Sequence, residues 1–349
     1  MTNTETTRTI AVYGATGVTG GHLLTELNRR GITPILVGRN ADRMHEAAAA
    51  AGVPAAEIRV ADLTDHGALV AAFTGADAVI SSLHSYSDNG EAVLAAAIDA
   101  GSHYTDISGE QRFLQRVLDD YAARAEAAGV TVVSGITDSS LPGDLLGYLT
   151  SRAVTGPAEI VLSHLSKSGG NGSKGSAKTV FANLDWFRSG GWHYADGEFR
   201  TDATARHTEM TIPGDTEPTA VSKFPLPPVL SVPRHSNVSF VEGVVPTKLH
   251  ETLSGFTEEI IESLPEHPSS DLRYDLVVDA YGTDGGRARG IVSGGHTYRD
   301  SALMAVEAAV RLTDGTAKAG ALAAAEAFDA TDFLDALTPF GISWRIETR

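Results

Sequence analysis

The first 136 residues alternate short aliphatic and β-branched runs with longer stretches whose apolar positions recur every three or four residues. A short apolar run bounded by turn residues predicts a buried strand, and the longer spacing predicts an amphipathic helix. Strands are expected near 9–13, 33–37, 57–60, 77–82, 103–107 and 130–134, with helices near 18–30, 41–51, 65–73, 88–100 and 109–128. Asn40, Thr64 and Ser87 stand where helix caps are needed, and Gly31, Gly101 and Gly129 where helices close. Strands alternating with helices in this way predict an α/β fold, a parallel sheet wrapped on both faces.

After Thr155-Gly156-Pro157 the texture changes. Glycine and serine cluster in SKSGGNGSKGSAK (166–178), prolines cluster in FPLPPVLSVPRH (224–235), and clean periodicity is lost, which suggests a second, α+β domain. LRYDLVVDAYG (272–282) predicts a strand, GRARGIVSGG (286–295) its hairpin partner, SALMAVEAAVRL (301–312) a helix, and the alanine-rich 315–329 a last helix. The organisation expected is a nucleotide-binding domain over 1–150, a substrate-binding and dimerisation domain over 151–300, and a helical segment over 301–349 packing back on the first.

At 349 residues the chain exceeds one comfortable core. It carries 27 basic and 44 acidic residues, a net charge of −17, which opposes nucleic acid and anionic membrane surfaces and favours a small-molecule partner. With no cysteine, disulfides, zinc–thiolate sites and thiol nucleophiles are excluded. The opening MTNTETTR is polar and no stretch approaches about 18 consecutive apolar residues, so a cytoplasmic protein without membrane insertion is expected. The twelve histidines are scattered without ligand spacing, and no metal is expected.

Between the first strand and helix stands GATGVTG (14–20). Gly14 permits a tight turn, Gly17 lets the backbone approach a pyrophosphate, and Gly20 lets the helix sit close on the sheet. Amides at the helix N-terminus then face the anion, so Gly14, Thr16, Gly17, Val18 and Thr19 are candidate cofactor contacts. The second strand ends in ILVGRN (35–40), with Arg39 and Asn40 where an NAD-preferring site carries an acid. Arg39 suits a 2′-phosphate, with Arg43 as a second cation, so NADP(H) is the expected cofactor. Asp62 and Leu63 are expected at the adenine, and Ser82 and Leu83 near the nicotinamide.

Three polar segments follow strands four, five and six: His84-Ser85-Tyr86, HYTDISGE (103–110) and SGITDSSLPGD (134–144). Carboxyl ends of parallel strands share one mouth, which makes His84, Tyr86, Asp106 and Asp138 candidate catalytic residues, although each could equally be a turn, cap or strand residue. The first lysine is Lys167, so a Tyr-x-x-x-Lys dyad is excluded from the nucleotide-binding domain. A non-catalytic NADP-binding regulator is the reading from another class.

GATGVTGGHLL, VGRN, AVISSLHSYSDNGEAVLAAAIDAGSHYTDISGE, GVTVVSGITDSSLPGDLLGYL and GGHTYRDSALMAVEAAVRL together resemble the saccharopine dehydrogenase-like oxidoreductases, including the trans-acting enoyl reductase branch. The resemblance implies a Rossmann-type doubly wound sheet and NADP(H)-dependent hydride transfer in a two-domain, homodimeric enzyme. It puts the family's tyrosine on Tyr86 and its acids on Asp106, Glu110 and Asp138, whereas His84-Ser85 stands where relatives often carry Gly-Pro. Hydride would add to a C=N, C=O or activated C=C bond, Tyr86 or His84 would supply the proton, and Asp106 and Asp138 would orient the donor. The leading substrate is a small amino-acid-like or natural-product molecule, the alternative an enoyl thioester or lipid intermediate. The 166–178 loop, with Lys167, Lys174 and Lys178, is a candidate lid or a floppy solvated loop; Trp186, Phe187, Trp192 and Tyr194 would line a pocket, a core or a dimer interface.

Overall fold

The computed structural model describes residues 8–167, 172–201, 204–265 and 272–348, which form two compact units. The first takes residues 8–108, 116–136 and 301–322; the second takes 109–115, 137–300 and 323–348.

In the first unit six strands, β1 (Ile10–Tyr13), β2 (Ile35–Gly38), β3 (Glu57–Val60), β4 (Ala78–Ser81), β5 (His103–Asp106) and β6 (Thr131–Val133), lie parallel in the order β3-β2-β1-β4-β5-β6. A two-residue strand, Gly320–Ala321, extends the sheet beyond β6. Every residue of β1 and β4 is buried, as expected of central strands covered on both faces. The order reverses between β1 and β4; with right-handed crossovers this sends helices to both faces and opens a crevice at the carboxyl ends of these two strands. The fold is the Rossmann-type doubly wound sheet.

Helices α1 (Val18–Arg29), α2 (Ala41–Ala50), α3 (His66–Phe73) and α4 (Tyr86–Asp99) follow the first four strands. Asn40 caps α2 by accepting from the Arg43 amide at 3.0 Å. Two other caps differ from expectation. Asp65, not Thr64, caps α3, because Thr64 is engaged with Asp62. Ser85, in a left-handed conformation, precedes α4, which leaves Ser87 inside the first turn. The helix expected over 109–128 is two, α5 (Gln111–Asp120) and α6 (Ala122–Ala128), interrupted at Tyr121, whose hydroxyl bonds Glu91 at 3.0 Å.

The second unit is built on a mixed sheet. Its strands are β7 (Ala158–Ser166), β8 (His193–Ala195), β9 (Glu198–Arg200), β10 (Glu209–Thr211), β11 (Pro218–Lys223), β12 (Val238–Pro246), β13 (Tyr274–Tyr281) and β14 (Arg287–Gly294). The main path runs β10-β11-β12-β7-β13-β14 and closes on an edge strand, Ser343–Thr348; the small β8–β9 hairpin joins through β12. β7 and β12 run parallel and the other pairs antiparallel, with β13–β14 the expected hairpin. The expected helix over 315–329 is absent. Gly315 and Gly320 take positive φ, the Gly320 and Leu322 amides pair with β6, and only Ala324–Ala327 is helical, so alanine content was outweighed by glycine placement and sheet pairing. The expected helix over 301–312 is present within Thr297–Leu312, a second helix spans Ala330–Leu337, and the segment divides between the units, 301–322 in the first and 323–348 in the second.

Within the second unit helix α7 (Leu141–Ser151) carries Pro142 in its first turn and presents glycines four residues apart. A Cβ would fall 2.8 Å from Pro228 at Gly143 and 2.5 Å from Val232 at Gly147, so only glycine admits the neighbouring helix Pro228–His235 this closely. Between the glycines Asp144 meets His235 at 2.8 Å, the side chains 4% and 6% exposed, and also accepts from the Ala325 amide at 2.8 Å.

Burial opposes charge on both groups, but their mutual attraction and hydrogen bond prevail: Asp144 lies below the usual carboxylate range and His235 above the usual imidazole range. The lowered acid stabilises the fold above pH about 4 and loses that contribution as pH falls through its native value; the raised imidazole stabilises below pH about 6.5 and loses it as pH rises through its native value. Asp144→Asn is expected to cost about 3 kcal/mol at pH 5–6, and less at pH 9, in denaturant unfolding.

Candidate nucleotide and active site

The turn from β1 into α1 is held by steric constraint. Gly14 has φ +87°, and a Cβ there would fall 2.1 Å from the Ser82 carbonyl oxygen, so the turn can pass the end of β4 only as glycine. A Cβ at Gly20 would fall 2.4 Å from the Gly14 carbonyl oxygen, which fixes the helix against the turn. At Gly17 the nearest atom to a Cβ would be 3.6 Å away, and the residue is exposed, so its face is open to a ligand. No side chain caps α1 and no acid lies in its first turn, leaving the positive end of the helix facing that opening. These residues fit a dinucleotide pyrophosphate. Thr16 is exposed and Val18 half-buried, while the Thr19 side chain is buried, so its contribution would be its amide.

At the end of β2, Arg39 is exposed and interacts electrostatically with Asp62. The Thr64 amide and hydroxyl, followed by Arg39, hold the Asp62 carboxyl below the usual range. Burial raises Tyr13, with Asp62 adding and Arg39 opposing, which groups Tyr13, Arg39 and Asp62 beside the turn. Asn40 spends its side-chain oxygen on capping α2. Leu63, Ser82 and Leu83 are half-buried at the ends of β3 and β4.

Tyr86 is 2% exposed. Its hydroxyl donates to the Ser81 carbonyl at 2.8 Å and accepts from the Leu83 and Ile107 amides at 2.9 and 3.4 Å. Burial, with Asp106 nearby, pushes it well above the ordinary tyrosine range. This geometry straps together the ends of β4 and β5 and does not suit the proton-donor role expected of Tyr86. His84, by contrast, is exposed at the end of β4.

Asp106 is fully buried and accepts from the Ser108 and Gly135 amides, both at 2.9 Å. Burial raises its carboxyl to about 6, against the lowering effect of the Gly135 and Ser108 amides and the Ser134 and Tyr104 hydroxyls. Those hydroxyls sit beside its second oxygen without closing a well-formed hydrogen bond. Asp106 thus fixes the loops after β5 and β6.

Asp138 belongs to the second unit, where it bonds His164 Nε2 at 2.9 Å. His164 stands on β7 with its side chain 19% exposed and its ring stacked 5.4 Å from Tyr274. A buried carboxylate orienting a partly exposed imidazole is an acid–base arrangement. The sequence reading missed His164, which lies 26 residues from its partner inside an apolar strand. Glu110 is buried and accepts from Asn183 at 3.0 Å.

The candidate lid is in part a helix: Lys174–Ala182 is capped by Ser173, and Lys174 pairs with Glu262 at 2.8 Å. Residues 168–171 of that segment lie outside the described residues. Trp186 packs edge-on against Trp192 at 4.5 Å and carries the Arg112 guanidinium 4.4 Å above its ring. Among the described residues no group of three or more His, Asp or Glu could hold a metal, and no helix is long and apolar enough to cross a membrane.

Fold and turn define a dinucleotide-binding protein. Residues 10–133 match the saccharopine dehydrogenase NADP-binding domain, and the nucleotide is NADP(H). A "Lipid droplet localized protein" of Caenorhabditis elegans is 32% identical over 39% of this chain and 34% of its own length. A "Saccharopine dehydrogenase-like oxidoreductase" of Bos taurus is 28% identical over 46% and 41%, and a "Trans-acting enoyl reductase" of Mycobacterium tuberculosis 30% identical over 41% and 35%. The matches span about a third to two fifths of these relatives. The fold extends further: apo saccharopine dehydrogenase (L-Glu forming) of Saccharomyces cerevisiae superposes with a TM-score of 0.62 over 98% of this chain and 100% of that one, at 14% identity.

Replacing Tyr86 by Phe leaves two amides and a carbonyl without their shared partner. The variant is expected to unfold about 1–3 kcal/mol more readily in urea while NADPH affinity, read by fluorescence titration, changes less than threefold.

Proposed function

We propose that the protein is an NADPH-dependent oxidoreductase acting on a C=N or C=O bond of a small amino-acid-like or natural-product substrate. The observation that carries this reading is the open glycine turn at an uncapped helix start, with Arg39 at the end of β2 where an NAD site would carry an acid. The Gly17 backbone and the first amides of α1 would hold the pyrophosphate, and Arg39, with Arg43, the 2′-phosphate. Bound NADPH supplies hydride at the nicotinamide carbon.

The chain's own task is the proton. His84 in the first unit and His164, oriented by Asp138, in the second are the two donors this reading offers. Asp106 would act as a positioning residue through the loops it ties, and Tyr86 through the backbone it straps. The homodimer and the cytoplasmic setting expected from the sequence belong to the same proposal. An enoyl C=C bond is the second reading, favoured by the similarity to a mycobacterial protein described as a trans-acting enoyl reductase.

Parallel NADPH and NADH titrations are expected to give at least tenfold preference for NADPH, lost in Arg39→Asp. A screen of imines, ketones and enoyl thioesters for NADPH oxidation then separates the substrate classes; tight cofactor binding with no turnover on any of them would favour the regulator over the enzyme. If His84→Ala and His164→Asn both keep wild-type turnover on a substrate so found, the proton assignment fails.

A further inference from the structure

The second unit carries an open cleft whose chemistry the oxidoreductase reading does not use. It encloses about 440 Å3, the size of a small-molecule site, and is lined by Arg152, Val154, Thr155, Asp284 and Arg287 among others. Arg152 follows α7 and Arg287 opens β14, so the loop before β7 and the β13–β14 turn form its walls.

The two guanidiniums are held rather than loose. Arg152 lies 5.0 Å from the centre of the Tyr148 ring and Arg287 5.4 Å from that of Tyr281, a cation–π arrangement that fixes the charge without neutralising it. In a chain with 44 acids against 27 bases, neither forms an ion pair with a described residue. Asp284, the acid among the lining residues, is committed to the Thr155 hydroxyl at 2.7 Å and the Gly286 amide at 3.0 Å. The Val154 and Thr155 amides donate to no described acceptor. Two guanidiniums without an ion pair to a described residue and two amides without a described acceptor therefore line one polar cleft, the donor set that multiply charged oxyanions require.

The cleft is separate from the Asp138–His164 pair. His164 lies opposite Leu276 on β13, whose end at Tyr281 is five residues further along, roughly 16 Å at about 3.3 Å per residue, and Asp284, which lines the cleft, lies beyond that end.

We propose that this cleft is an ancillary binding site for a small molecule bearing a multiply charged oxyanion, a phosphate or polycarboxylate group, engaged by Arg152 and Arg287 together. The test is isothermal titration of the full chain, saturated with NADPH so that the glycine turn is filled, with inorganic pyrophosphate and, separately, with citrate, in metal-free buffer. Saturable binding of either anion is expected, the anion that binds identifying the group as phosphate or carboxylate, with affinity falling at least tenfold in Arg152→Ala/Arg287→Ala. The Arg152→Lys/Arg287→Lys variant, which keeps charge but loses the planar fork, is expected to fall between. Unchanged circular dichroism and NADPH affinity in both variants would separate this site from folding and from the nucleotide turn. Absence of binding by both anions, or binding that survives the double alanine substitution, overturns the proposal.

Discussion

The nucleotide side of the molecule depends on a close approach: the Gly14 turn passes the Ser82 carbonyl so tightly that no side chain fits between them. That approach joins the two central strands at the point where the strand order reverses. With the turn fixed, α1 is aimed, Gly17 is left open, and β2 delivers Arg39 beside the same turn. Local steric exclusion thereby becomes an electrostatic site.

Much of the first unit was legible in the chain because parallel strands covered on both faces read as near-continuous apolar runs, as IAVY and the AVI of AVIS do. Glycine turns and the Asn40 cap are equally local, since each depends on residues within a few positions. Where local rules competed, the reading slipped. Residues 315–329 have alanine's helical composition, yet Gly315 and Gly320 and pairing with β6 decide otherwise.

The candidate chemistry was less legible, for a physical reason. A residue type announces what a side chain could do, but its partner decides what it does. Tyr86 has a donor's hydroxyl at the end of β4, yet three backbone groups engage it. His164 looks like an interruption in an apolar strand until Asp138 and Tyr274 are seen beside it. Asp144, in the same sequence motif as Asp138, is committed to His235 inside the second unit. Two carboxylates six residues apart thus serve orientation in one case and cohesion in the other.

The interleaving of the two units has a bearing on how such a protein can be divided or inherited. The chain passes between them at 108/109, 115/116, 136/137, 300/301 and 322/323. A cut at 150 would strip Gly320–Ala321 from β6 and leave an open sheet edge, so neither unit is a module that recombination can lift out as one continuous stretch. Sequence change in the second unit must therefore proceed with the first still attached.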